Sequence, residues 1–264
     1  MPFAKINGSK IYYESRGAGH SLLLLNGAMA NTASWGFQIP AFIAKGYRVI
    51  LMDFTGQGRS SKPRMRYDMG QHISEVNAVL DSLGIDKAHV VGVSYGGEVA
   101  MLCAINSPER VRSLVVSNSV SQIDRSMRAR AERWLMATRF KSGRILWQTV
   151  YPDIYSDEFL EHRWDFVSKT APSFDLLDFD AVGEMLKAFM ALNITPELHK
   201  IKMPTLVIAS DLDGTKPMKY AEIIHKGIEN SQLHVIRGAG HVAMWEKPEE
   251  FNNAVLGFLE TLSA

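Results

Sequence analysis

A serine at position 94 lies in the pentapeptide Gly-Val-Ser-Tyr-Gly, residues 92–96, after an apolar run typical of a strand and before a helical run. A strand-to-helix turn of this kind forces the serine into a strained backbone conformation, and the flanking glycines leave room because they lack Cβ. The serine oxygen then stands clear of the sheet at a helix N-terminus, where N–H groups favour developing negative charge. The position of Ser94 therefore predicts a nucleophile that attacks acyl carbon.

A serine hydroxyl needs a base to take its proton, and His241 is the candidate. It ends the sequence Gly-Ala-Gly-His, residues 238–241, after a β run and before the last helical stretch. That placement puts it in a loop at the carboxyl edge of a sheet, beside the serine. We expect the other histidines to be structural, solvated or constrained by strand packing: His20, His72, His89, His162, His199, His225 and His234.

The third member of such a constellation is a carboxylate in a loop that follows a strand. The loop after the apolar run 204–209 carries Asp211 and Asp213, whereas the loop after 113–116 has no acid before Asp124. We favour Asp213 because it lies further beyond the strand end. Asp211 stays the alternative, and the one that is not used is expected to cap a turn or be solvated.

Acyl transfer also requires two N–H donors for the oxyanion that forms. We assign one to the backbone N–H of Tyr95, directly after the nucleophile. The second is assigned to Ala28, in the loop after the apolar run 22–25, where Gly27 permits close backbone approach.

Short β runs alternate with helical stretches in the first half of the chain, which predicts an α/β fold with a parallel sheet. A turn at Asn7-Gly8 predicts a hairpin near the N-terminus. The segment 120–198 has no clear β run and is rich in aromatic residues. We interpret it as a helical cap inserted into an α/β core of residues 1–119 and 199–264.

The chain has 264 residues, 46% of them hydrophobic, with a formal net charge of +1. The near-neutral charge argues against a nucleic-acid partner. The single cysteine, Cys103, excludes an internal disulfide, fits a reducing compartment and is expected in the core. No signal peptide or membrane-spanning run is evident, so we expect a cytoplasmic protein.

Motifs for cofactors and metals are incomplete or missing from the sequence. Gly56-Gln57-Gly58 follows a strand but lacks the third glycine of a dinucleotide loop, since Ser61 stands there. No phosphate-binding loop or zinc-ligand spacing is present, so we expect no cofactor and no metal. Asp53 is expected to brace its own loop rather than take part in chemistry.

Together these landmarks resemble the α/β-hydrolase superfamily over nearly the whole chain: residues 26–27, 53–60, 92–97, Asp213 and 240–241. The resemblance implies a central, mostly parallel, eight-stranded sheet, a helical cap and a Ser94–His241–Asp213 triad. Residues 26–35 and 191–193 are similar to a narrower group, the 3-hydroxyacyl-acyl-carrier-protein transacylases and the acyltransferases that make rhamnolipid precursors. Tyr95 differs from the tryptophan of that group.

Three functions are compatible with these residues. The first is a serine hydrolase of carboxylic esters, thioesters or lactones with a small hydrophobic acyl group. The second is an acyltransferase that takes a 3-hydroxyacyl group from acyl carrier protein or coenzyme A, to which a basic segment, residues 125–144, would bind. The third is a non-catalytic binding protein, which is the least favoured because such proteins usually lose part of the triad.

Overall fold

Eight strands form a single sheet in the computed structural model, which describes residues 2–262. In chain order the strands are β1 (Phe3–Ile6), β2 (Ser9–Arg16), β3 (His20–Leu25), β4 (Tyr47–Met52), β5 (Ala88–Val93), β6 (Val111–Ser117), β7 (Thr205–Ser210) and β8 (Ser231–Ile236). Their spatial order is β1-β2-β4-β3-β5-β6-β7-β8. From β4 to β8 every pairing is parallel, which confirms the predicted mostly parallel sheet.

The first two strands form the predicted hairpin. They pair antiparallel, and β2 pairs antiparallel with β4. The turn residues Asn7 and Gly8 have φ values of 46° and 79°. Asparagine and glycine tolerate this left-handed conformation, which a two-residue hairpin turn requires at both positions.

Helices cover both faces of the sheet and fill the segment between β6 and β7. The α-helices are α1 (Ile39–Ala44), α2 (Gln71–Ser82), α3 (Tyr95–Asn106), α4 (Arg125–Thr138), α5 (Gly143–Ile154), α6 (Asp157–His162), α7 (Trp164–Ser168), α8 (Ala171–Phe174), α9 (Phe179–Phe189), α10 (Met218–Gly227), α11 (Ala243–Glu246) and α12 (Pro248–Thr261). Short 3₁₀ helices occur at Thr32–Trp35, Pro108–Arg110 and Thr195–Lys200. None of the helices between residues 2 and 262 is long and apolar enough to cross a membrane.

Alternation along the strands divides the core into two layers. In β3, Leu23 and Leu25 pack on the face covered by α2, α3 and α10, while Leu22 and Leu24 pack on the face covered by α1 and α12. Successive side chains of a strand point to opposite faces, so a strand buried on both faces is apolar throughout. A continuous run of leucines is therefore the pattern of a strand buried on both faces.

The helices α4 to α9 lie between β6 and β7 in the chain, as expected for the segment 120–198. α5, α7 and α8, together with the end of α4, form a separate apolar cluster that includes Ala137, Leu146, Trp147 and Val167. α9 and the earlier part of α4 instead pack into the main core, through residues such as Met127 and Met185. The segment is therefore tied to the sheet, and its treatment as a separate cap with boundaries at 120 and 198 stays a prediction.

Candidate active site

The order of strands brings several loops to one edge of the sheet. β4 and β5 lie on opposite sides of β3, so the direction of sheet growth reverses there. Leu25 at the end of β3 pairs with Gly92, and Val93 at the end of β5 pairs with Ser117. Ligands of open α/β sheets bind at such a reversal, outside the carboxyl ends of the strands. The loops after β3, β5, β6, β7 and β8 therefore meet at one candidate site.

Ser94 lies in a tight turn between β5 and α3. Its backbone has φ 56° and ψ −120°, a region that non-glycine residues rarely adopt. The turn needs glycine on both sides, because a Cβ on Gly92 would overlap the carbonyl of Gly96, and one on Gly96 would overlap the carbonyl of Leu25. The strained serine thus follows from close backbone packing, as the sequence predicted.

The structure brings the predicted base and acid into hydrogen-bond contact with this serine. Nε2 of His241 lies 2.9 Å from Oγ of Ser94, and Nδ1 of His241 lies 2.8 Å from Oδ2 of Asp213. His241 and Asp213 are both buried. A carboxylate accepts a hydrogen bond from Nδ1–H, so the ring holds its hydrogen at Nδ1 and leaves Nε2 free to accept the serine proton.

Asp213 is held in place by donors from two loops. Oδ1 accepts from the backbone N–H groups of Thr215 and Lys216, at 2.8 and 2.7 Å. Oδ2 accepts from Nδ2 of Asn118, at 2.9 Å. Burial by itself raises the pKa of Asp213, but the His241 ring and the hydrogen bonds to the carboxylate outweigh it, so the pKa lies below its usual value.

The alternative acid, Asp211, does not contact His241. It is exposed, and its carboxylate accepts from the backbone N–H of Gly238 at 2.7 Å, bracing the loop after β8. This is the capping role that we expected for the acid not used.

The loop after β3 is locked to the loop after β4 by buried polar groups. Asn26 donates to the carbonyl of Met52 at 2.7 Å and accepts from the Trp35 indole at 2.7 Å. Asp53 accepts from the backbone N–H groups of Thr32 and Arg59, so it braces its loop as predicted. Asparagine at position 26 fits because it both donates and accepts at this buried position.

The two assigned oxyanion donors lie beside Ser94. A Cβ added to Gly27 would lie 3.6 Å from Cβ of Ser94, which shows how closely this loop approaches the serine. Ala28 and Tyr95 line one small cavity together with Ser94. Among residues 2–262, no backbone carbonyl accepts the N–H of Ala28 or of Tyr95, so both donors are free for a ligand.

The side chain of Tyr95 is held in place by a buried hydrogen-bond network. Its hydroxyl lies 2.9 Å from Nε2 of His72, whose Nδ1 lies 2.8 Å from Oε2 of Glu75. The same Oε2 accepts the backbone N–H of Thr55 at 3.1 Å. His72 is therefore structural, as expected, and it fixes the residue that follows the serine.

A lysine and a glutamate at the site were not predicted. Nζ of Lys216 lies 3.1 Å from Oγ of Ser94 and 2.7 Å from Oε1 of Glu98. The side chains are 4% and 0% exposed. Burial raises the pKa of Glu98, against the opposing effect of the Lys216 ammonium. Oε2 of Glu98 has no hydrogen-bond partner within residues 2–262.

Spacing along the chain offered a signal for both residues. Glu98 lies four positions after Ser94, one helical turn further along α3, so it comes near the serine. Lys216 lies three positions after Asp213 in the same loop. Lysine and glutamate are rarely buried unless they are paired, and the sequence alone does not show that these two residues pair. Neither was therefore expected inside the site.

Two cavities open beside Ser94. The apolar cavity has a volume of about 350 Å³ and also borders His241. Its wall is mostly apolar and aromatic and includes Trp134, Trp147, Val150, Phe174, Leu177 and Trp245. The small cavity has a volume of about 30 Å³. It is bordered by Ala28, Ser94 and Tyr95, and also by Lys216, Glu98, Arg130 and Phe189. Ser94 thus faces a large apolar space and a small, mostly apolar one that Lys216 and Glu98 also border.

Comparison with known proteins agrees with this architecture. Residues 20–248 match the family model of the alpha/beta hydrolase fold. This chain belongs to the α/β-hydrolase family. It is 30% identical to the 2-hydroxy-6-oxo-6-phenylhexa-2,4-dienoate hydrolase of Comamonas testosteroni, over 97% of this chain and 95% of that protein. It is 31% identical to 3-oxoadipate enol-lactonase 2 of Acinetobacter baylyi, over 89% of this chain and 86% of that protein.

A solved structure extends the likeness to three dimensions. MGS-M2, an α/β hydrolase from a Medee basin deep-sea metagenome library, superposes with a TM-score of 0.93 at 27% identity. The match covers 98% of this chain and 97% of that chain. The α/β hydrolase described here is thus a hydrolytic enzyme, while the similarity of residues 26–35 to acyltransferases stays a prediction.

Proposed function

We propose that this α/β hydrolase is a serine hydrolase that cleaves carboxylic ester, thioester or lactone bonds through an acyl-enzyme on Ser94. The observation that supports it best is the hydrogen-bonded row from Asp213 through His241 to Ser94, with contacts of 2.8 and 2.9 Å. A serine next to an oriented base is the arrangement that activates a hydroxyl for attack.

In the acylation step, Oγ of Ser94 bonds to the acyl carbon while Nε2 of His241 takes the hydroxyl proton. The carbonyl oxygen becomes an oxyanion, which the N–H groups of Ala28 and Tyr95 stabilise by hydrogen bonds. The carbon–oxygen bond to the leaving group then breaks, or carbon–sulfur in a thioester, and His241 returns the proton to the departing atom. Asp213 stabilises the imidazolium that forms between these steps.

Deacylation repeats the sequence with water. A water molecule gives a proton to His241 and attacks the acyl carbon, forming a second oxyanion at the same donors. Ser94 then leaves the acyl carbon and regains its proton from His241. The free acid departs, and the resting hydrogen bonds are restored.

The apolar cavity supports a hydrophobic acyl group as the substrate. It borders both Ser94 and His241, and aromatic side chains from the segment between β6 and β7 supply much of its wall. Ligand sites commonly combine an apolar wall with few polar anchors, because the wall supplies affinity and the anchors fix orientation.

Turnover of p-nitrophenyl esters in wild type and in the Ser94→Ala variant tests the proposal. We expect the wild type to release p-nitrophenol and Ser94→Ala to lose activity by several orders of magnitude, on the order of 10³-fold or more. Ser82→Ala, on the exposed end of α2, is the matched control and should keep the wild-type rate. Full activity in Ser94→Ala would overturn the assignment.

Acyl transfer to a carrier thiol is the second candidate, and the basic segment 125–144 is the feature that favours it. Part of that charge is neutralised, since Arg133 pairs with Asp153 and Lys141 with Asp180. Adding coenzyme A to the ester assay separates the two functions. Formation of acyl-coenzyme A faster than free acid would favour transfer, and unchanged acid release would favour hydrolysis.

A further inference from the structure

The buried ammonium of Lys216 has no part in the steps derived above. It lies between a reacting atom and a carboxylate, 3.1 Å from Oγ of Ser94 and 2.7 Å from Oε1 of Glu98. Removing two charges from water costs several kcal/mol per ion, so a buried pair contributes little net stability. A pair placed against the nucleophile therefore calls for a functional explanation.

Attack by Ser94 changes the surroundings of this ammonium. In the resting enzyme, Oγ interacts with His241 and accepts a hydrogen bond from Lys216. When Oγ uses a lone pair to bond to the acyl carbon, it becomes a weaker acceptor. A buried charged donor that loses its acceptor raises the free energy of the transition state unless another acceptor replaces it.

Among residues 2–262, the protein offers one other acceptor at this site, Oε2 of Glu98, but it belongs to the carboxylate already paired with Lys216 and brings no second counter-charge. A new acceptor therefore has to come from the substrate. Glu98 is already bonded to Lys216, and the Phe189 ring centroid, 5.0 Å from Nζ, offers only a π face. In the proposed mechanism the carbonyl oxygen is directed to the donors at Ala28 and Tyr95. The acceptor is therefore a different oxygen, carried on an atom adjacent to the scissile carbonyl.

Charge and size define this acceptor further. Lys216 and Glu98 form an ion pair, so the excess positive charge bordering the small cavity comes from half-buried Arg130, whose Nη1 also donates to the Ser126 hydroxyl. An anionic oxygen is thus favoured over a neutral one. The volume of about 30 Å³ admits one small group, so the rest of the substrate must occupy the apolar cavity.

We propose that Lys216 is a specificity-determining residue that binds a carboxylate or enolate oxygen next to the scissile carbonyl. The substrates are then apolar acyl compounds that carry a negative charge beside the bond that breaks. This inference rests on the proposed role of Ser94, because it depends on where the scissile carbonyl lies.

Matched substrates that differ only in this charge provide the test. The first pair is the ethyl half-ester of benzylmalonate and its primary amide, which places the charge on the acyl side. The second pair is butyryloxyacetate and butyryloxyacetamide, which places it on the alcohol side. The readout is the ratio of kcat/KM for the anion to that for the amide. Dividing the wild-type ratio by a variant's ratio cancels the intrinsic reactivity of each ester.

We expect Lys216→Met to lower this ratio in at least one pair by about 10- to 100-fold, the range for a hydrogen bond between charged groups. Lys219→Met is the control, because Lys219 is exposed and pairs with Asp124 outside the site; it should keep the wild-type ratio. If Lys216→Met does not fold, the double variant Lys216→Met/Glu98→Gln replaces it in the test. The double variant removes both buried charges and should show the same fall in the ratio. An unchanged ratio in whichever variant folds overturns the proposal.

Inhibition of the wild type gives a test that needs no variant. Benzylmalonate should inhibit p-nitrophenyl ester turnover at a concentration at least tenfold lower than benzylmalonamide; equal inhibition would contradict an anion subsite. Failure of the proposed role of Lys216 can be distinguished from failure of the proposed hydrolase function. If the wild type hydrolyses p-nitrophenyl esters and Ser94→Ala does not, hydrolysis stands whatever the ratios show.

Discussion

Replacing Asp213 by asparagine changes a carboxylate into an amide at nearly constant volume. Oδ1 accepts from two backbone N–H groups, those of Thr215 and Lys216, which the loop holds in place. The asparagine oxygen must stay at that position, so its NH₂ group turns toward Nδ1 of His241. That nitrogen then becomes an acceptor, and the ring proton moves to Nε2, where the proposed mechanism needs a base for Ser94.

The size of the effect follows from these contacts. The carboxylate accepts four hydrogen bonds; the amide keeps the two from the backbone, reverses the one with His241 and loses the one from Asn118. The wrong tautomer lowers kcat on the order of 10⁴-fold in a Ser-His-Asp site. That corresponds to about 5.5 kcal/mol, at about 1.36 kcal/mol for each tenfold change. Loss of the hydrogen bond from Asn118, which leaves a buried donor unsatisfied, should also lower the free energy of unfolding by about 1–3 kcal/mol.

Steady-state hydrolysis of p-nitrophenyl butyrate measures the first effect, and urea denaturation measures the second. Asp211→Asn is the matched control, because Asp211 is exposed and contacts Gly238 rather than His241; we expect its kcat within about threefold of wild type. Retention of more than a tenth of the wild-type kcat in Asp213→Asn would contradict a role for Asp213 in orienting His241. So would an equal loss in Asp211→Asn.

Three further predictions concern stability and chain-length preference. Burial lowers the pKa of His89 from 6.5 to about 4, so between those pH values the unfolded chain binds a proton that the folded chain excludes, and the free energy of unfolding falls as the pH falls. His89→Gln should reduce that fall by about 2 kcal/mol between pH 7 and 4.5 in urea titrations, and an identical slope would contradict it. Asp124 caps α4 by accepting from the N–H of Met127 at 2.9 Å, so Asp124→Ala should lower the free energy of unfolding by about 1–2 kcal/mol; an unchanged urea midpoint would count against it. Val150 borders the apolar cavity, so Val150→Phe should lower kcat/KM for p-nitrophenyl octanoate about tenfold more than for the acetate, and equal losses would argue against this cavity as the acyl site.

Much of the sheet was predictable because its strands are short and apolar. The leucine run 22–25 and the valine-rich run 89–93 are buried on both faces, which only a central strand allows in a sheet of this kind. Strand β8 was harder to predict. Ser231–Ile236 is only partly buried along most of its length, and its pattern mixes polar and apolar residues. The short helices α6, α7 and α8 were not resolved individually, because a few residues carry too little periodicity.

The sequence predicted the nucleophile, base and acid of the candidate site, each of which lies after a strand. Ser94 comes directly after β5, Asp213 and His241 lie in the loops that follow β7 and β8, and neighbouring strand ends meet at one edge. Lys216 and Glu98 could not be paired from the sequence, since 118 positions separate them and both residue types usually face solvent.

The most direct test of an acyl-enzyme is whether the acyl group is found on Ser94 during turnover. Acid quenching of p-nitrophenyl butyrate hydrolysis within the first turnover, followed by trypsin digestion, isolates the peptide 88–110, in which fragmentation separates Ser94 from Ser107. We expect a butyryl adduct on Ser94, and none on the peptide from Ser94→Ala. Turnover with no adduct on Ser94, or with the acyl group on another residue, would contradict it.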